Sequence, residues 1–187
     1  MRLNKKIEII AEVKTHSPFG FVSSKSWDEL FVVANEIGDM LSIHTDARWN
    51  GSFDLIKKAK SLTSKPILAK GIHEHDDQIV EAINAGADFV LVVGRIPNVY
   101  REKCIIEPLT LEELKTIPQE FRVLWNSRDL KTGGLKTETF KQARARFPGW
   151  LIQGSNIKTT NDVQDGADAI LIGTYLEEFR ESLTKIE

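Results

Sequence analysis

Apolar and polar positions along this chain repeat in one order. A short, nearly unbroken apolar run is followed by an amphipathic stretch, and then by the next run. Eight runs occur: "IEIIAEVK" (7–14), "MLSIHTD" (40–46), "PILAKG" (66–71), "DFVLVVG" (88–94), "KCIIEP" (103–108), "RVLWNSRD" (122–129), "GWLIQGS" (149–155) and "DAILIGT" (168–174). Most are continuous rather than alternating, which predicts parallel strands covered on both faces. In "SWDELFVVANEIG", Trp27, Leu30, Phe31, Ala34 and Ile37 fall at helical spacing, with Gly38 as a stop signal. "SFDLIKKAKSL", with Ser52 as its cap, "HDDQIVEAINAGAD", "LTLEELKTI", "KTETFKQARARF" and "LEEFRESLTKI" are the other predicted helices. The dipeptide Gly-Ala precedes both Asp88 and Asp168, so one helix-to-strand junction is used twice. This alternation predicts an α/β fold, and eight strands predict a closed, compact (β/α)₈ barrel forming a single domain over residues 1–187.

One connection breaks the pattern. Only "RIPNVYREK" (95–103) joins the fourth run to the fifth, whereas a parallel crossover usually takes about a dozen residues or more, commonly with a helix. Pro97 disfavours a helix there. The expectation is a barrel with one or more helices shortened or missing. Strand walls left exposed near 95–103 would then offer a surface for self-association.

Composition narrows the class. Of 187 residues, 41% are hydrophobic and 28% charged, which suits a globular chain with a sizeable core. A net charge of -2 gives no electrostatic case for nucleic acid or an anionic membrane as a partner. The lone cysteine, Cys104, excludes an internal disulfide framework. No apolar run approaches the ~20 residues of a membrane span, and the basic start "MRLNKKIEII" lacks the apolar stretch of a signal peptide. A soluble cytoplasmic protein is expected.

The polar residues embedded in the runs lie at their late ends: Glu12 and Lys14 in the first, Asp46 in the second, Lys70 in the third, Glu107 in the fifth, Asn126 and Arg128 in the sixth. In a closed parallel barrel these ends share one face, where barrel enzymes hold their sites. Lysines and carboxylates crowded on one rim shift each other's proton affinities and divide acid from base roles. Taken singly each has a plainer reading. Glu12 and Lys14 suit a structural ion pair, and Lys70 a solvated strand end.

The motifs resemble those of the indole-3-glycerol phosphate synthase family. "IAEVKTHSPFG" is similar to its first-strand signature, I-A-E-x-K-x-x-S-P-S-x-G, and "NSRDL" to its sixth-strand motif. "DARWNGSFDLI", "PILAKGIHEHDDQIVEAINAGAD", "CIIEP" and "ILIGTYL" match further segments in the right order, so the resemblance spans nearly the whole chain. It implies a carboxy-lyase of tryptophan biosynthesis acting on a phosphorylated small molecule, with no metal or organic cofactor. Carried over by position, Lys70 matches the general acid of ring closure, and Glu107 the acid/base group of dehydration. Glu12 and Lys14 match the pair that positions the anthranilate carboxylate, and Asn126 a group that hydrogen-bonds substrate. Ser17, Gly173 and Thr174, with Ser155 and Asn156, match the phosphate site. Asp46 and Arg128 complete the expected substrate-binding set.

The chain also departs from that pattern. The third strand reads Lys70-Gly71-Ile72 where the family has K-D-F. The seventh reads Gly154-Ser155-Asn156 where it has E-S-G, so an active-site glutamate is missing. The family also carries a longer segment ahead of the first strand, so a less covered site is expected. Two other readings follow: a phosphate-ligand-binding barrel with impaired catalysis, and a barrel enzyme acting on another phosphorylated sugar. "HEHDD" (73–77) has metal-binding residue types but reads as a solvated helix start. Cys104 reads as core, and Trp125 as pointing away from the barrel lumen.

Overall fold

A computed structural model describes residues 7–185. The basic start, residues 1–6, lies outside them. The chain forms a closed barrel of eight parallel strands in sequential order: β1 (Glu8–Val13), β2 (Met40–His44), β3 (Ile67–Lys70), β4 (Phe89–Val93), β5 (Cys104–Glu107), β6 (Arg122–Asn126), β7 (Leu151–Gly154) and β8 (Ala169–Ile172). Pairing of Ile10 with Leu171 and of Ala11 with Ile172 closes β1 onto β8. The described helices are α1 (Trp27–Ile37), α2 (Phe53–Leu62), α3 (Asp76–Asn84), α4 (Leu111–Thr116), α5 (Phe140–Arg146) and α6 (Leu176–Leu183). None of them is long and apolar enough to cross a membrane.

The helix starts follow their sequence signals. Ser26 caps α1 in a reciprocal box: its hydroxyl accepts from the Glu29 N–H at 3.3 Å, and Glu29 accepts from the Ser26 N–H at 2.8 Å. Ser52 caps α2 and Thr110 caps α4 in the same position. Short side chains with one acceptor satisfy N–H groups that a helix start leaves unpaired.

Two links lack an α-helix. Between β4 and β5 there is only a 3₁₀ turn at Arg101–Lys103, as the short linker with Pro97 predicts. Between β7 and β8 there is only a 3₁₀ turn at Thr160–Asp162. The expected exposed wall at 95–103 is absent. Ile96 and Val99 pack against the outer core, and the outward residues Val90, Val92, Cys104 and Ile106 are at most 3% exposed. A loop that lays apolar side chains on the sheet replaces the missing helix as cover.

The strand period of two sorts the core into layers. Outward residues, including Ala11, Ile43, Ala69, Val92, Val123 and Trp125, pack against the helices. Inward residues Ile10, Met40, Leu68, Leu91, Ile105, Leu124, Ile152, Ala169 and Leu171 fill the lumen. At the N-terminal end of the strands, the Arg122 guanidinium lies 4.7 Å from the ring centres of both Phe89 and Trp150 and plugs the barrel. The lumen is thus solid below, and its C-terminal end is left for polar side chains.

Candidate active site

The inward positions at the C-terminal ends of the strands carry Glu12, His44, Lys70, Glu107 and Asn126. They form the floor of an open cavity, which Lys14, Ser17, Arg128, Ser155, Asn156, Gly173 and Thr174 also line. Asp46 is the one expected site residue that does not line it. Its carboxylate instead caps the turn at Ala47–Trp49 and holds Arg48 through the backbone N–H at 3.0 Å and the guanidinium at 2.6 and 2.9 Å.

Glu12 is the hub. Its Oε1 lies 2.6 Å from Lys70 Nζ and 2.7 Å from His44 Nε2. The first contact is a hydrogen bond, while the second lacks hydrogen-bond alignment. Burial opposes the charge on Glu12, but Lys70, His44 and Lys14 together outweigh it. They hold its carboxyl well below the usual range. Lys14, read from sequence as a partner of Glu12, instead donates to Thr174 Oγ1 at 3.1 Å. Burial lowers the proton affinity of Lys14 against the pull of Glu12, with repulsion from Lys70 and Arg128 adding to the effect.

Gly173 makes this arrangement possible. A Cβ built there would stand 1.8 Å from Glu12 Oε2. The residue that follows the eighth strand is therefore a glycine because the carboxylate of the first strand occupies the space.

Across the floor, Glu107 Oε1 accepts from Asn126 Nδ2 at 2.8 Å. The Asn126 amide oxygen accepts from Ser155 Oγ at 2.6 Å and from the Arg128 N–H at 3.0 Å, which fixes the amide orientation. Burial raises the proton affinity of Glu107, and neither Lys70 nor the Asn126 hydrogen bond reverses it. Two carboxylates on one floor are therefore pushed in opposite directions. Glu12 is held ionised, and Glu107 keeps its proton to higher pH than an exposed glutamate.

On one wall, Ser155 and Asn156 adopt φ of 68° and 58°, the left-handed region. Asn tolerates it better than most residues, which lets Asn156 stand where the family pattern has glycine. The N–H groups of Asn156, Ile157, Thr174 and Tyr175 make no hydrogen bond to another described residue, and all four residues line the cavity. With the Thr174 hydroxyl they form a site suited to an anion.

His44 was not singled out in the sequence. It closes an apolar run, yet it has the inward parity of Met40 and Ser42 on the same strand. That parity, beside Glu12 and Lys70 on the flanking strands, was the available signal. The two departures from the family pattern are built in. A Cβ at Gly154 would meet Leu124 Cδ1 at 2.8 Å, and one at Gly71 would meet Thr45 Oγ1 at 2.5 Å. His73, from the "HEHDD" stretch, is buried and spans from the Leu91 carbonyl to Thr45 Oγ1, at 2.5 and 3.0 Å. Asp76 of that stretch binds Arg95 at 2.6 Å.

A family model described as indole-3-glycerol phosphate synthase matches residues 1–187. The protein of that name from Geobacillus sp. (strain WCH70) is 29% identical, covering 92% of this chain and 77% of the relative. That from Sulfurisphaera tokodaii is 28% identical, covering 91% and 78%. That from Acaryochloris marina is 31% identical, covering 90% of this chain and 65% of the relative.

Proposed function

This chain belongs to the indole-3-glycerol phosphate synthase family, and from that premise we propose that it closes the indole ring of 1-(2-carboxyphenylamino)-1-deoxyribulose 5-phosphate with loss of CO₂ and water. The observation that carries the reading is the pair of oppositely perturbed carboxylates on one floor, with Lys70 bonded to the ionised one.

Each residue then has a task set by its surroundings. The unpaired N–H groups of Asn156, Ile157, Thr174 and Tyr175, with the Thr174 hydroxyl, anchor the phosphate on the wall that Ser155 and Ser17 also line. The ammonium of Lys14 and the guanidinium of Arg128 face the anthranilate carboxylate. Lys70 gives a proton to the ketose oxygen as the ring carbon bonds to the ketose carbon. The carboxylate departs as CO₂, and its bonding pair restores the aromatic ring. Glu107 gives the second proton to the hydroxyl, which leaves as water, and takes back the hydrogen of the adjacent carbon. Overall one proton is consumed. Asn126 holds Glu107 in place by its amide N–H.

The missing seventh-strand glutamate supports a second reading, a barrel that binds the phosphorylated ligand without turning it over. Gly154 packs against Leu124 and leaves no room for a carboxylate without movement. Indole fluorescence appearing on addition of the anthranilate-ribulose phosphate decides between them. Turnover should be present in the wild type and fall by about 10²–10⁴-fold in Lys70→Met. Saturable binding without fluorescence change would favour the second reading.

A further inference from the structure

His44 has no assigned part in this scheme, yet it sits at the hub. It is 4% exposed, and its Nε2 is 2.7 Å from the oxygen that also holds Lys70. Neither ring nitrogen has an aligned hydrogen-bond partner among the described residues. The ring is kept by packing. It lies parallel to the Trp49 indole, 5.9 Å between centres and 4° between planes. Its backbone is pinned by Gly51, where a Cβ would stand 2.5 Å from the His44 carbonyl carbon. With Nε2 already 2.7 Å from the Glu12 oxygen, a small rotation about the side-chain bonds, the ring sliding along the Trp49 face, brings Nε2–H into line with Glu12.

That rotation meets a need created by the chemistry. When Lys70 passes its proton to the ketose oxygen it becomes a neutral amine. Glu12, 3% exposed, then stands without the cation that balanced it. A buried carboxylate stripped of its partner is strongly disfavoured. Lys14 is turned to Thr174, so the group already within reach is His44.

We propose that His44 is a positioning residue that takes over Glu12 by an Nε2–H hydrogen bond while Lys70 is deprotonated, holding the carboxylate in place until the lysine regains its proton. The inference rests on the proposed role of Lys70. The charged and titratable groups around the imidazole are Glu12 from β1 and Lys14 just beyond it, Lys70 from β3, Asp46 and Arg48 beyond the end of β2, and His73 across Thr45. Burial lowers the proton affinity of His44 from its ordinary value, against the pull of Glu12.

Two measurements test it, one of them independent of turnover. Nitrogen-detected NMR of the whole chain reports the tautomer and titration of His44. The wild type should show the Nε2–H tautomer. In Lys70→Met, His44 becomes the nearest partner of Glu12, and its titration should move up. In Glu12→Gln it should move down. In turnover assays His44→Leu should lower kcat by about 10-fold or more with KM little changed, and His44→Gln, which keeps an N–H donor, should recover much of the loss. An Nδ1–H tautomer, or a titration indifferent to Lys70→Met, overturns the proposal even if the wild type proves inactive. Equal kcat in His44→Leu and wild type overturns it in an active enzyme. A wild type without turnover whose His44 responds as expected counts against the lyase reading and leaves the coupling of His44, Glu12 and Lys70 supported.

Discussion

At the scale of single residues, the site depends on one glycine and two unlike acids. Gly173→Ala puts a methyl group where Glu12 Oε2 lies, so the carboxylate must leave Lys70 and His44. Displacement of about 1 Å in a catalytic constellation can cost about 10²-fold. The variant should fold and lose turnover on that order, and Glu12→Asp in the same chain should restore part of it. Kinetics of the single and double variants check this. Glu107 has a raised proton affinity in the fold, so its contribution to stability is full at low pH and is lost as pH rises through the ordinary carboxylate range and beyond. Glu107→Gln cannot ionise. Melting curves from about pH 4 to 8 should therefore show a smaller loss on the alkaline side than in wild type. Glu12, held low, behaves oppositely, and its contribution is lost only as pH falls through its depressed value. Much of this floor was legible beforehand. Glu12, Lys70, Glu107 and Asn126 are polar residues interrupting apolar runs, and inward parity at strand ends brings them together. The partner choices were not legible. Glu12 meets Lys70, 58 residues away, rather than Lys14, because β1 and β3 both flank β2 while neighbours two apart on one strand rise to different depths.

At the scale of elements, short polar signals set the boundaries. The capping box at Ser26 and Glu29 was written in the sequence, and Ser26→Ala should cost about 1 kcal/mol, or about 2–4 °C in melting temperature. Thermal unfolding by circular dichroism checks it, with the cavity-lining residues untouched. The linker 95–103 shows the limit of such reading. Its length and Pro97 indicate that no helix forms, but they do not indicate that Ile96 and Val99 fold back onto the sheet. That depends on a tertiary gap which only the closed barrel creates. The missing helix between β7 and β8 gave weaker warning, because residues 155–168 are long enough for one. There Asp162 instead accepts from the Lys158 and Thr159 N–H groups at 2.9 and 2.8 Å and spends the segment on a 3₁₀ turn.

At the scale of the whole molecule, ligand binding and stability are linked. If the N–H groups at Asn156, Ile157, Thr174 and Tyr175 hold phosphate, inorganic phosphate at ten times its dissociation constant should stabilise the fold by about 1.4 kcal/mol, a shift of a few degrees. A melting temperature that tracks phosphate, and does not move in a chloride control of matched ionic strength, is the expected result. The two links without α-helices have a consequence of another kind. They divide the ring into two arcs, one carrying β8 and β1–β4 beneath α6 and α1–α3, the other carrying β5–β7 beneath α4 and α5. Lys70, Glu12 and His44 stand on the first arc, and Glu107 and Asn126 on the second. The arcs meet along two seams, where Val93 pairs with Glu107 and Gly154 with Leu171. Lys70 and Glu107, the proposed donor for ring closure and the proposed acid for dehydration, are therefore set against each other by the register of those seams. A slip of one residue at either would turn every inward side chain of an arc outward, so the chemistry belongs to neither arc and exists only at the join.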